Sequence, residues 1–251
     1  DKEMMGQPIQ MDMTSYYSMD VADDDGATKT ITSTIDRFKM KVGAGGMNLD
    51  IDTDKPLPDL GETEGGENPM KILNTLFAAI KGQRFTMKVN SEGKILEVKG
   101  FEDMASRIVD SLPVEESEKE EMRQQFSKQF NADKIKSQFE RAWYIFPNKE
   151  VKVGDSWQKN TDIGMEGMPG KYNSVYKVTD IEGDMVTLEE KTKLDVNQRG
   201  MELEGEIKGT IVVDSRIGLI VSSDQELTMK TKAEGQSVEI KAKTKIKGKA
   251  R

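Results

Sequence analysis

The sequence predicts an α+β fold: a strongly curved, mainly antiparallel β-sheet, shaped as a partial barrel, with a central block of helices packed on one face. Three observations predict it. Residues 150–251 show only strand-like alternation, in segments of about ten residues or more, and long strands with one wet face tend to coil. Residues 68–147 change to helical spacing, broken by one hairpin. Residues 8–51 return to the two-residue period. One continuous sheet is the preferred arrangement. It forms a single domain over 1–251, made of N-terminal strands and an acidic loop (1–67), helices with an inserted hairpin (68–147) and a C-terminal meander (148–251).

Residues 8–19 read as the first strand and 20–29 as a loop. Residues 29–42 form the second strand, with Ile31, Ser33, Ile35 and Arg37 on one side and Phe38, Met40 and Val42 suited to the other, so two registers fit. Met47, Leu49 and Ile51 alternate in a third strand. Residues 52–67, acidic and rich in Gly and Pro, are a loop. Asn68 suits an N-cap and Pro69 the first helical position, ahead of a stripe of Met70, Leu73, Phe77 and Ile80. A hairpin turns at Ser91-Glu92-Gly93.

Residues 101–112 return to helical spacing, and Pro113 ends it. A charged helix over 115–129 buries Met122 and Phe126. A last helix from Asn131 carries Ile135, Phe139 and Ala142, with Trp143 and Phe146 beyond it. Strands follow over 172–181, 185–196, 201–213 and 219–232. The terminal segment sets Val238, Ile240, Ala242, Thr244 and Ile246 against Glu239, Lys241, Lys243, Lys245 and Lys247. That alternation makes the lysines the wet face of a strand rather than a basic arm, and lysine on an edge discourages aggregation.

Composition narrows the function classes. The net charge is −8, and residues 1–65 with 14 acids and 6 bases account for all of it, which argues against nucleic acid as a partner. The chain has no cysteine and no histidine, so disulfides, thiolate nucleophiles, His-metal centres and the Ser-His-Asp triad have no material. No cofactor is expected. No run approaches the ~18 apolar residues of a transmembrane helix. The start, "DKEMMGQPIQ", reads as a mature or trimmed N-terminus, with any lipid-bearing cysteine upstream.

The motifs favour plain readings. Asp50-Ile51-Asp52-Thr53-Asp54 mimics a calcium loop, but positions six and twelve are Lys55 and Gly61 rather than Gly and Glu. Asp50 and Asp52 fit the outward face of a strand instead. Asp23-Asp24-Asp25-Gly26 fits an acidic turn. Sixteen methionines suggest core filling first, an adaptable apolar binding surface second and soft-metal binding last. "VGAGGMN" joins two strands and lacks the Lys-Ser or Lys-Thr ending of a phosphate loop. Glu115, Glu116, Glu118, Glu120 and Glu121 suit a helix start.

Two elements carry a likeness. The hairpin has Gly93, Ile95, Val98 and Gly100, and helices follow it. The second element, "FPNKEVKVGDSW", supplies Pro147, Val151, Val153, Gly154, Asp155, Ser156 and Trp157. The order resembles an uncharacterised family of exported proteins, often lipoproteins, from Bacteroidota. The resemblance implies a periplasmic or outer-membrane-anchored location and no activity. Structurally, Gly154-Asp155 predicts a tight turn and Trp157 a core anchor.

The expectation is a non-catalytic envelope protein that holds a lipid or other apolar ligand between sheet and helices, lined by Phe77, Ile80, Phe126, Phe139 and Trp143. An envelope protein is a second possible partner. A surface module for protein or glycan, using Tyr16-Tyr17 and the acidic loops, is the alternative. A carboxylate-dependent hydrolase ranks third.

Overall fold

The computed structural model describes residues 10–44, 47–55, 69–129, 132–165, 168–198, 201–233 and 236–248. In chain order the elements are β1 (Gln10–Asp24), β2 (Thr28–Ala44), β3 (Met47–Asp52), α1 (Pro69–Ile80), β4 (Arg84–Asn90), β5 (Ile95–Lys99), α2 (Phe101–Asp110), α3 (Glu116–Gln129), α4 (Ala132–Trp143), β6 (Ser156–Met165), β7 (Met168–Glu182), β8 (Met185–Gln198), β9 (Met201–Asp214), β10 (Leu219–Ala233) and β11 (Gln236–Lys247). Most of the expected acidic loop over 52–67 lies outside the described residues.

The architecture corrects the expected one. Two antiparallel sheets, neither closed among the described residues, replace the single curved sheet. The expected block of helices on one face is also absent: α1, α2 and α3 fall in one compact unit (1–88 with 96–132), and all but the first residue of α4 in another (89–95 with 133–251). The physical reason is that alternation fixes which side of a strand is buried but not its neighbour. The α2–α4 stretch separates β5 from β6, and the ladder does not resume across it.

In the first unit β2 is the hub. β1 pairs with it along nearly its whole length, and β3 takes Lys39–Ala44 on the other edge, beside β4. β1 runs on to Asp24, into the expected loop. Asp24 and Asp25 accept backbone N–H bonds from Gly26, Ala27 and Thr28, which makes the acidic cluster a turn. Ile31, Ser33 and Ile35 are buried, which settles the register of β2. Phe38 stacks on Phe77 of α1 at 5.3 Å, and Phe85 meets Phe101 of α2 edge-on at 6.0 Å.

Asp52 does not face outward as expected. It is buried, and Arg37 donates to both its oxygens at 2.8 and 2.6 Å. Those bonds hold its carboxyl well below the usual carboxylate range. Asp54 pairs with Arg37 and Lys81, and Asp50 with Lys41. The calcium-like segment is thus an ion-pair cluster.

In the second unit the sheet order is β11-β10-β9-β8-β7-β6. Its main core joins Ile145, Tyr176, Val178, Leu188, Ile211 and Val213, with Trp157 packed against it. Gly154 adopts φ +94° in a turn where the Gly154 N–H bonds Val178 and the Lys152 N–H bonds the Asp155 carboxylate. Trp157 then donates its indole N–H to the Ile145 carbonyl at 2.7 Å. The anchor role read from "VGDSW" has that geometry.

The hairpin tip, Val89–Ile95, clusters with this unit. Gly93 has φ +84°, and a Cβ there would lie 1.7 Å from the Trp143 carbonyl oxygen. The Phe146 N–H bonds the Glu92 carbonyl. Gly93→Ala therefore combines backbone strain with an unavoidable clash and is expected to cost at least about 2 kcal/mol, read as a lower urea midpoint at unchanged m-value. Wild-type stability in this variant would disprove the close approach.

Candidate functional site

The inner face of the second sheet is built from rows that run across its strands. Antiparallel pairing keeps one parity on one face, so each row is a set of register partners. One row is Trp157, Tyr176, Glu190, Gly209, Gln225 and Thr244. The next is Lys159, Ser174, Thr192, Ile207, Leu227 and Ala242. A third is Thr161, Tyr172, Leu194, Gly205, Met229 and Ile240.

The first two rows enclose a polar lane. Glu190 is only 4% exposed. Thr192 donates to its Oε1 at 2.7 Å, and Thr192 Oγ1 lies 2.8 Å from Ser174 Oγ. Gln225 donates to the other carboxylate oxygen from two strands away. It can do so because β9 offers no side chain between them. A Cβ at Gly209 would stand 2.7 Å from Gln225 Cγ and 2.5 Å from the Asp224 carbonyl oxygen. Gly205 does the same in the third row, where a Cβ would meet Met229 Cγ at 3.0 Å and Leu194 Cβ at 3.4 Å. Glycine in these strands serves close approach rather than turning.

Burial pushes the Glu190 carboxyl above its ordinary value, and the bonds from Thr192 and Gln225 and the nearby Arg141 charge pull the other way. Burial, and then the Glu190 charge, push the Tyr176 hydroxyl up as well. Lys159, also buried, pairs with Glu92 and lies 4.1 Å from the Tyr144 ring centroid. The Lys159 ammonium holds the Glu92 carboxyl below its usual range.

Cover is uneven along these rows. Arg141 donates to the Tyr172 hydroxyl at 3.3 Å, and Ile145 joins a core with residues of β7, β8 and β9, so the end of α4 and its continuation lie over that part of the sheet. Tyr172 and Leu194 are buried, while Ile207, Leu227 and Met229 beside them are only half-buried. Ile240 is 45% exposed and Ala242 is exposed. The apolar side of the terminal strand was expected to be buried, and it is open because nothing described beyond β10 lies over it. The arrangement offers greasy ground next to a polar lane. Among the described residues no cluster of acids could hold a metal ion.

The residues chosen from sequence fall in different places. Phe77, buried against Phe38, and Ile80, half-buried, belong to the first unit. Phe139 and Trp143, both half-buried on α4, belong to the second. The side chain of Phe126 lies outside the described residues. Glu190, Thr192, Gln225 and Gly209 were missed. The signals were present: Glu190 occupies an inward position between Leu188 and Thr192, and Gly205 and Gly209 interrupt a strand pattern.

Two variants check the lane. Gly209→Ala forces Gln225 off Glu190 and is expected to cost about 1–3 kcal/mol in urea unfolding. For Glu190 the folded state holds its proton more tightly than the unfolded chain, whose ordinary value is 4.5. Stability from this group therefore falls as pH rises from 4.5 through the raised value. Glu190→Gln should flatten that part of the melting-temperature profile, and a wild-type-minus-variant curve without slope there would refute the assignment.

A family of unknown function, DUF6263, matches residues 26–220. Neither the curated proteins nor the solved structures give a match to the chain. Ser174, Glu190, Thr192, Gly205 and Gly209, the Gly93 hairpin and the Trp157 anchor lie within the matched residues, Gln225 lies beyond them, and the chain belongs to the DUF6263 family.

Proposed function

We propose that the protein is a non-catalytic component of the cell envelope that binds an apolar or amphiphilic ligand on the open part of the second sheet. The observation that carries the reading is the half-exposed apolar set Ile207, Leu227, Met229 and Ile240, set directly beside a hydrogen-bonded polar lane. An aliphatic chain laid over these residues gains about 25 cal/mol per Å² of apolar surface removed from water. Its polar end would lie toward Gln225 and Thr244, next to Glu190 in the same row. Phe139 and Trp143 of α4 belong to the same unit and are half-buried.

The non-catalytic part of the reading is supported by a chain without His or Cys and by a buried carboxylate whose two oxygens both accept hydrogen bonds. The envelope location is supported by the likeness of the "VGDSW" element to exported proteins.

Titration with a dansyl-labelled long-chain fatty acid tests the site. Ile240→Glu should weaken binding about tenfold, since it removes apolar contact and adds a charge. Val175→Glu, on the outer face of β7, should leave binding unchanged. A wild-type protein that does not bind the probe, or that carries no co-purified lipid in native mass spectrometry after isolation from its host, sinks the reading.

A further inference from the structure

Among the described residues β1 is a free edge of the first sheet, and its side chains do not behave like those of an edge meant to stay alone. Met11, Met13, Tyr17, Met19 and Val21 have one parity and share one face. They are between 38% and 61% exposed. Over Gln10–Asp24 there is no Lys, Arg or Pro. The edge is also regular where it matters. The register shift near Tyr16 and Tyr17 leaves the extra residue, Asp36, on β2, so β1 runs unbroken from Met11 to Val21. Ala22 is the first residue of β1 skipped by the ladder.

The opposite practice is visible on β11, among the described residues an outer strand of the other sheet. There Lys241, Lys243, Lys245 and Lys247 recur at every second position, a common guard against edge pairing. Three of them are tied to acids of their own sheet, Lys241 to Glu239, Lys243 to Glu226 and Lys245 to Asp224. β1 has no such guard.

We propose that β1 pairs antiparallel with β1 of a second copy, across a two-fold axis at Ser15, to form a symmetric dimer. The charges choose this register. A two-fold at Tyr16 would set Asp12 against Asp20 twice, and like charges directly opposite are destabilising. A two-fold at Tyr17 would set Met19 against Ser15 and would end at the skipped Ala22. At Ser15, Met11 faces Met19 and Met13 faces Tyr17 on one side of the sheet. On the other side Asp12 faces Ser18, Thr14 faces Tyr16 and Asp20 faces Gln10. Asp12 and Asp20 each meet a neutral partner, and Met11, Met13, Tyr17 and Met19 meet one another. The interface is isologous, so it closes at two copies and does not propagate into fibres. It joins two five-stranded sheets into one, with the apolar face continued from Ile31 and Ile35 of each copy.

Sedimentation velocity of the full chain across the micromolar range tests the proposal. Wild type should shift from monomer to dimer. Ser15→Lys sets two ammonium groups face to face at the axis and should weaken the dimer at least about tenfold. Ser15 is exposed, so the melting temperature of that variant should equal that of wild type at concentrations low enough for both to be monomeric. The chain has no cysteine, so Ser15→Cys gives a clean reporter. With diamide as oxidant it should form a disulfide-linked dimer, while Val175→Cys should not. A wild-type protein that stays monomeric overturns the proposal, including one that stays monomeric yet floats with phosphatidylcholine vesicles. A dimer that survives Ser15→Lys overturns it too.

Discussion

The segment from Arg141 to Phe146 is held from several directions, and the second unit is organised by that constraint. Trp157 donates to the Ile145 carbonyl, the Glu92 carbonyl receives the Phe146 N–H, and Gly93 brings the hairpin backbone against Trp143. Arg141 reaches the Tyr172 hydroxyl from the same stretch. These are short-range contacts between backbone and rigid groups, so the segment cannot slide along the sheet. Its Ile145 joins a core that runs over β7, β8 and the Ile211–Val213 part of β9. What lies under the segment becomes core, and what lies beyond it is left half-wet.

Inside the covered zone the sheet is not purely apolar. A carboxylate, two hydroxyls and an amide occupy inward positions on β7, β8 and β10, with a buried lysine on β6 at their border. A buried polar network is tolerable when its members are satisfied, and here the carboxylate has a donor for each oxygen. The two strand glycines make this possible. By removing a side chain from β9 they let residues of β10 interact with residues of β8, which are not neighbours in the ladder. The polar groups thus fix side-chain positions across three strands, where an aliphatic row would tolerate several packings.

Much of the element order was legible, because local period and punctuation carry it. Pro69, Gly93, Pro113 and the alternation of Val238 to Ile246 each act on the backbone where they stand. The assembly was not legible. Pairing depends on which edges meet, and the alternation of β5 or β6 says nothing of that. Burial on the terminal strands misled for a related reason: Ile240 has the parity of a core residue, but parity supplies no cover. Asp52 misled the other way, since a charge at a strand end reads as wet until a guanidinium from the next strand is seen to claim it. The five aromatic and aliphatic residues picked for size followed helix placement alone, and size does not report which unit a helix joins.

β2 is engaged along both edges, and its partners come from very different distances along the chain. β1 precedes it across a tight turn and β3 follows within a few residues, whereas β4 arrives only after α1. The entropy of loop closure grows with that separation. Loop-closure entropy therefore favours pairing within the local three-strand meander over pairing with β4, and β3, by occupying the far half of one edge, limits the length on which β4 docks.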